Sequence, residues 1–365
     1  MGDEASRILV VNAGSSSVKL SVLDAGDTLL ASRSFPGGVA ASDLAGWVGA
    51  AGRVDAVGHR IVHGGSEFAG PVLMSGEVRA RIEALGDLAP LHQAKALAAL
   101  DALAGASSGI PVVACFDTAF HAHMPEAAAR YAIPAEWRRR WGIRRFGFHG
   151  LSHAYAARRT AELMDRPVTE LRIVTCHLGA GASLAAVQGG HSVDTTMGFT
   201  PLEGLVMATR SGSVDPGLVL WLIREAGLDP SAVAEGLEEG SGLAGLAGTA
   251  DMREVLERSA AGDPESRLAL DVYLHRLRAG IAAMAASMGG ADAVTFTGGV
   301  GESAAEVRRR ATEGLGFLGL GIDEERNALP GGDRAIGDAA APVPAFVVKA
   351  REDLQIAHEV RALLG

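Results

Sequence analysis

The sequence predicts an α/β protein built from two similar halves, and three observations lead there. The chain has 365 residues, more than the roughly 100 to 200 typical of one domain, so two domains are expected. Near the N-terminus the apolar run RILVVN at 7–12 meets the turn AGSSS and resumes as VKLSVLD, which reads as strand, tight turn, strand. The pattern returns about half a chain later, where RIVTCHL precedes the glycine turn GAGAS and LAAVQGG follows. An internal duplication is expected from this, with one glycine-rich turn contributed by each half.

Strands and helices alternate between and beyond these hairpins. Residues 92–104 and 151–166 carry amphipathic helical patterns, and IPVVACFD at 110–117 reads as a buried strand. The stretch 217–290 is largely helical in pattern. ADAVTFTGGVGES at 291–303 reads as a buried strand running into a glycine turn, ahead of a helix that carries RRR at 308–310. A helix starting on such a turn offers free backbone N–H groups to an anion. The closing VVKAREDLQIAHEVRALLG has a strand-like start and a helical remainder that can pack back on the first half. No linker marks a boundary, so the expected domains are 1–118 together with 352–365, and 119–351.

Composition narrows the partners. A formal charge of −10 and a pI near 5.6 give no general attraction to nucleic acid or anionic lipid, which need a basic surface. The first residues carry acids and lack a cationic start and an apolar stretch, and no apolar run approaches the roughly 18 residues of a membrane helix. A cytoplasmic location is the expectation. Cys115 and Cys176 lie inside apolar strand-like runs and read as small core residues. The basic residues are 30 Arg but only three Lys, at 19, 95 and 349, so a lysine within a glycine-serine turn stands out.

That turn offers Asn12, Gly14, Ser15, Ser16, Ser17 and Lys19: an amide, three hydroxyls, close backbone approach and a cation, which suit phosphate oxygens as well as an ordinary polar hairpin. It is not a Walker A loop, because GxxxxGK[ST] is absent. VGHRIVHGG puts Arg60 in a run that predicts a buried strand, where a cation needs a partner. His59 and His63 in the same run do not make a metal pair, since on a strand they lie well apart. FGFHGLSH holds His149 between glycines, CHLGAGAS holds His177 at a strand end, and MATRSGSVDPG holds Arg210 in a polar turn. CFDTAFH puts Asp117 at a strand's carboxyl end, where ligands of α/β sheets gather. Two arginines, a histidine, a carboxylate and several glycine turns are the parts that phosphoryl transfer uses.

Taken in order, VVNAGSSSVKL, GHRIVHGG, APLH, FDTAFH, FGFHGLSH, HLGAGAS, TPLEGLVMATRSG, FTGGVGES and the closing REDLQIA resemble the acetate kinase family nearly end to end. The resemblance implies two duplicated ribonuclease H-like domains, as in actin, Hsp70 and sugar kinases, an interdomain active-site cleft and a homodimer. It implies reversible phosphoryl transfer between ATP and a short carboxylate, acetate or propionate, with Mg²⁺ or Mn²⁺. Asn12, Ser15, Ser17 and Lys19 would line the phosphate region, and His177, Gly179, Gly181, Asp251, Arg253, Gly299 and Gly301 would hold the nucleotide. Arg60, His149 and Arg210 would surround the transferred group, with Asp117 orienting Arg60 or the metal. Asn12 and Glu352 would help hold the metal. Val62, Leu91, Phe148 and Pro201 would form the alkyl pocket beside His92.

The sequence departs from the family pattern near the nucleotide side. HLGNG becomes HLGAG with Ala180, PLHNP becomes PLHQA, and RSGD becomes RSGS with Ser213. TNEE becomes Ala350-Arg351-Glu352-Asp353, which brings a cation next to the metal carboxylate in sequence. These changes motivate a second reading, a divergent relative acting on another acid or donor; a third is a catalytically weak relative that binds nucleotide as a regulatory protein.

Overall fold

The computed structural model describes residues 7–14, 17–36, 41–86, 90–103 and 109–365. They form two compact units. The first gathers residues up to Ala122, Phe148–Tyr155 and Arg351–Gly365; the second comprises His123–Gly147 and Ala156–Ala350.

The first unit is a six-stranded mixed sheet: β1 (Ile8–Ala13), β2 (Ser17–Leu23), β3 (Leu29–Pro36), β4 (Ala56–Ile61), β5 (Val72–Leu73) and β6 (Val112–Phe116), in the order β3-β2-β1-β4-β6-β5. β1, β4 and β6 run parallel, while β2, β3 and β5 pair antiparallel to their neighbours. Both faces of β1 are buried, which is why its sequence is continuously apolar rather than alternating. Leu9, Val11 and Ala13 face one core with Leu97 of the helix Pro90–Leu103. Ile8 and Val10 face the other core with Ile356, Ala357 and Val360 of the helix Glu352–Leu364. Gly58 of β4 lets that helix seat closely, since a Cβ there would stand 2.4 Å from Ile356 Cγ2 and 2.8 Å from Val360 Cγ2.

The second unit repeats the plan. β7 (Arg172–Leu178), β8 (Ala182–Gln188), β9 (His191–Thr195), β10 (Ala293–Thr297), β11 (Arg334–Ala335) and β12 (Ala345–Val347) pair in the order β11-β12-β10-β7-β8-β9. Adding six to each strand number of the first sheet gives the second, with the same parallel and antiparallel pairings. Even the register shifts match: one falls at Val22/Leu23 in β2, the other at Ala186/Val187 in β8. The helix Pro264–Ser287 covers this sheet, burying Leu270, Leu274, Leu277 and Ile281 along one stripe. It starts where Asp263 caps the Ser266 N–H and Pro264 occupies the first turn.

Cys115 in β6 and Cys176 in β7 are fully buried free thiols. Two expectations change in detail. The glycines after β10 do not form an open turn; Gly298, at φ +79°, leads straight into the short helix Gly298–Ser303. The strand-like start of the closing segment becomes β12 of the second sheet, while only its helical remainder joins the first unit. No helix among the described residues is long and apolar enough to cross a membrane.

Two buried histidines tie loops and helices to the first sheet. His59 Nε2–H donates to the Ala96 carbonyl at 2.9 Å, and His121 Nε2–H donates to the Phe148 carbonyl at 3.1 Å. Burial pulls both pKa values down to about 4, against the help of those carbonyl bonds.

Gly58→Ala is expected to lower stability by about 1–3 kcal/mol, because the new methyl overpacks the interface with Ile356 and Val360; a denaturant midpoint unchanged from the parent would contradict this. The histidines make a pH prediction. A lowered pKa means the unfolded chain binds more protons between about 4 and 6.5, so stability is complete above 6.5 and falls on acidification. Each histidine should cost about 2 kcal/mol by pH 5, and His121→Asn should flatten the slope of urea midpoint against pH across that interval.

Candidate active site

The strand period of two determines which side chains meet in the first unit. On β1, Asn12 shares the parity of Ile8 and Val10. On β4, Arg60 shares that of Ala56 and Gly58, and Asp117 follows β6 with the parity of Val113 and Cys115. All three therefore fall on the face covered by the helix Glu352–Leu364, at the carboxyl ends of three adjacent parallel strands. Glu352 is the first residue of that helix.

The contacts run in a chain. Arg60 Nε donates to both Asp117 oxygens at 3.0 and 3.1 Å, and Nη2 donates to Oδ2 at 2.6 Å. Arg60 Nη1 donates to Asn12 Oδ1 at 3.0 Å, and Asn12 Nδ2 donates to Glu352 Oε2 at 2.6 Å. The Arg60 and Asp117 side chains are 13% and 1% exposed. Burial works against the Arg60 charge, but Asp117 and Glu352 outweigh it and push the guanidinium above its ordinary value. Two carboxylates against one guanidinium leave one negative charge and oxygen donors, the chemistry of a hard divalent cation held partly through water and substrate phosphates. Asn12 and Glu352 are the residues that fit such an ion, because Asp117 spends both oxygens on Arg60. Arg351 does not compete, because its guanidinium is paired with Asp353 at 2.8 Å.

His149 is joined to this cluster through its neighbour Gly150, whose backbone bonds the Asp117 segment. It immediately precedes the helix Gly150–Leu163 and has φ +57°, a left-handed conformation rare for a side-chain-bearing residue. The neighbourhood holds it there: Gly150 N donates to the Asp117 carbonyl at 2.9 Å, and a Cβ on Gly150 would stand 2.2 Å from that oxygen. Phe148 is buried, with its ring edge-on to His63 at 5.4 Å. Val62 is buried next to His63 in sequence. Lys19 is exposed on β2, paired across from Asn12, and Ser17 receives the Gly14 N–H on its carbonyl at 2.8 Å. Ser15 lies outside the described residues, as do the side chains of Leu91 and His92, whose backbone belongs to the helix Pro90–Leu103.

The second unit holds a cavity of about 680 Å³, within the range of ligand pockets. Gly179, Ala180, Asp251, Arg253 and Gly299 line it. Asp251 caps the helix Met252–Ala260 through the Arg253 N–H and pairs with the Arg253 guanidinium at 2.6 Å, which holds its carboxyl down to about 2. Gly181 closes the β7–β8 turn by accepting from Gly179 N, and His177 lies near Gly179. Gly301 is buried against β7 and β10 instead of lining the cavity.

Arg210, half-buried in the same unit, donates to the Pro201 carbonyl at 3.3 Å, and its own carbonyl accepts from Met207 N. Burial lowers its pKa, with Glu238 opposing. The Ser213 hydroxyl accepts from Gly204 N at 3.1 Å and ties down the Pro201 loop. Sequence reasoning missed the apolar cavity wall of Leu243, Met252 and Leu256, which looks like any amphipathic helix pattern. It also missed the Tyr131–Glu203–Arg145 network that braces residues 196–203; only the pairing of three dispersed polar residues reveals it.

Comparison with known proteins agrees with these features. The Acetokinase family model matches residues 43–358. The acetate kinase of Deinococcus deserti is 44% identical over 98% of this chain and 98% of its own, and that of Deinococcus radiodurans is 49% identical over 86% and 79%. The crystal structure of Porphyromonas gingivalis acetate kinase superposes with a TM-score of 0.91 at 34% identity, covering 99% of this chain and 100% of that one. A propionate kinase from Francisella tularensis gives 0.89 at 33%, covering 97% and 98%. With a duplicated mixed sheet, an Arg60–Asp117 pair at the strand ends and relatives of this similarity along nearly its full length, the chain belongs to the acetokinase family.

Proposed function

We propose that this protein is an ATP-dependent carboxylate kinase that reversibly transfers a phosphoryl group between ATP and acetate or propionate, forming the acyl phosphate and ADP. The observation that carries the reading is the Asp117–Arg60–Asn12–Glu352 chain at the carboxyl ends of three parallel strands.

The migrating phosphoryl group spreads negative charge over its equatorial oxygens as it passes between two oxygens. Arg60, fixed by Asp117 through Nε and Nη2, keeps N–H groups for those oxygens without reorganising during the step. His149, held in its left-handed conformation, and Arg210 are assigned the same task of donating to the phosphoryl oxygens. The acceptor's carboxylate is ionised at neutral pH, so it attacks without a general base and the transfer is direct. Mg²⁺, held by Asn12 and Glu352, would neutralise charge on the phosphates. Val62, Leu91, Phe148, Pro201 and His92 form the acid's site in this reading, and an extra methylene there changes binding by only about 1–3 kcal/mol.

The nucleotide takes the 680 Å³ cavity of the second unit, with Asp251 and Arg253 at its rim and His177, Gly179, Gly181 and Gly299 shaping the approach. Asn12, Ser15, Ser17 and Lys19 are assigned to binding its phosphates. We assign the exposed apolar side chains Leu218, Leu220 and Trp221 of the helix Pro216–Arg224 to a homodimer contact, because that apolar helix buries no residue of its own.

Trapping the acyl phosphate as hydroxamate tests the reaction directly: Mg²⁺ and ATP should support product from acetate or propionate, and absence of product from every short acid would refute the reading. Arg60→Ala and Arg210→Ala should each lower kcat about 100-fold or more with unchanged circular dichroism; near-normal turnover in both would remove their assigned roles. Arg253→Ala should instead raise the KM for ATP with little change in kcat.

A further inference from the structure

A smaller cavity of about 350 Å³ lies in the second unit and shares Ser303 with the larger one. Its walls carry three cations, Arg308, Arg334 and Lys349, against one carboxylate, Glu302. Arg308 is 1% exposed, yet it has no carboxylate partner among the described residues. Its Nε donates to Asn327 Oδ1 at 2.7 Å, Nη1 to the Gly301 and Glu302 carbonyls at 2.9 Å each, and Nη2 to the Asn327 carbonyl at 2.7 Å. Arg334, half-buried, is likewise bonded among the described residues to carbonyls alone, those of Arg326, Leu329, Gly331 and Gly332. The Lys349 ammonium has no acceptor among the described residues. Glu302 is held at the wall by the Ala350 N–H at 2.8 Å.

Capping the short helix Gly298–Ser303 accounts for Arg308 alone, since its Nη1 satisfies the two terminal carbonyls. It does not account for two further cations bordering the same space. Burying the Arg308 charge without a counter-charge is costly. Burial and the neighbouring Arg334 pull the Arg308 pKa down to about 10. An anion in the cavity would remove that cost. The charge surplus of two asks for a dianion, and the cavity's volume equals that of roughly a dozen waters at about 30 Å³ each, room for more than free phosphate.

We propose that this cavity is a binding site for a small phosphate-bearing dianion, separate from the larger cavity. Arg308 bonds the helix whose Gly299, Val300 and Ser303 line the larger cavity.

The test is isothermal titration of the full chain, saturated with Mg²⁺ and a non-hydrolysable ATP analogue, with inorganic phosphate and separately with glycerol 3-phosphate. The parent should bind at least one probe saturably, and the double variant Arg334→Gln, Lys349→Gln should bind it at least tenfold more weakly; the tighter probe tells free phosphate from ester. Lys349→Ala, at an exposed position, should weaken binding severalfold even if the double variant folds poorly. No saturable heat from either probe in the parent, or undiminished binding in the variants, overturns the proposal.

Discussion

Arg60 and Asp117 constrain the first unit because each makes the other tolerable. A guanidinium and a carboxylate this buried would each be expensive alone, and removing one partner of such a pair typically costs about 3–5 kcal/mol. Three short N–H bonds from one fork to one carboxylate fix the orientation of Arg60. The same fixed fork then orders Asn12, and Asn12 orders Glu352. Structural necessity and chemical readiness are thus one arrangement: the contacts that make the cation bearable also hold it ready for an anion.

The backbone around the pair is shaped to allow this. Gly58 lets the helix that begins at Glu352 approach β4, and Gly150 lets the His149 segment lie against the Asp117 carbonyl. Neither glycine touches a ligand in this account. Each acts by leaving out a methyl group where two elements must meet. The duplication distributes the remaining work, since the hairpin that carries Asn12 in the first unit returns in the second as the β7–β8 turn, whose Gly179 lines the large cavity.

Much of this was legible in the sequence because it rests on short-range patterns. The two hairpins, the buried strand before Asp117 and the helices near 92–104 and 151–166 follow from apolar periodicity, and the structure differs only by a few residues at their ends. The pairing of Arg60 with Asp117 was expectable once both were placed on buried strand ends. What sequence could not supply were distances across the fold. Nothing local says that Arg351 would turn to Asp353 instead of Glu352, that Ser213 would hold Gly204, or that Arg308, Arg334 and Lys349 would border one cavity. Gly301 illustrates the reverse case: a motif glycine whose role here is close packing against β7 and β10.

A kinetic double-mutant cycle on Arg60→Met and Asp117→Leu tests the central claim most directly. If Asp117 acts by holding Arg60, the double variant turns over no more slowly than the slower single variant, and the two losses in kcat are strongly non-additive. Losses that multiply as independent effects would contradict it, because Asp117 would then serve the reaction by some route other than Arg60.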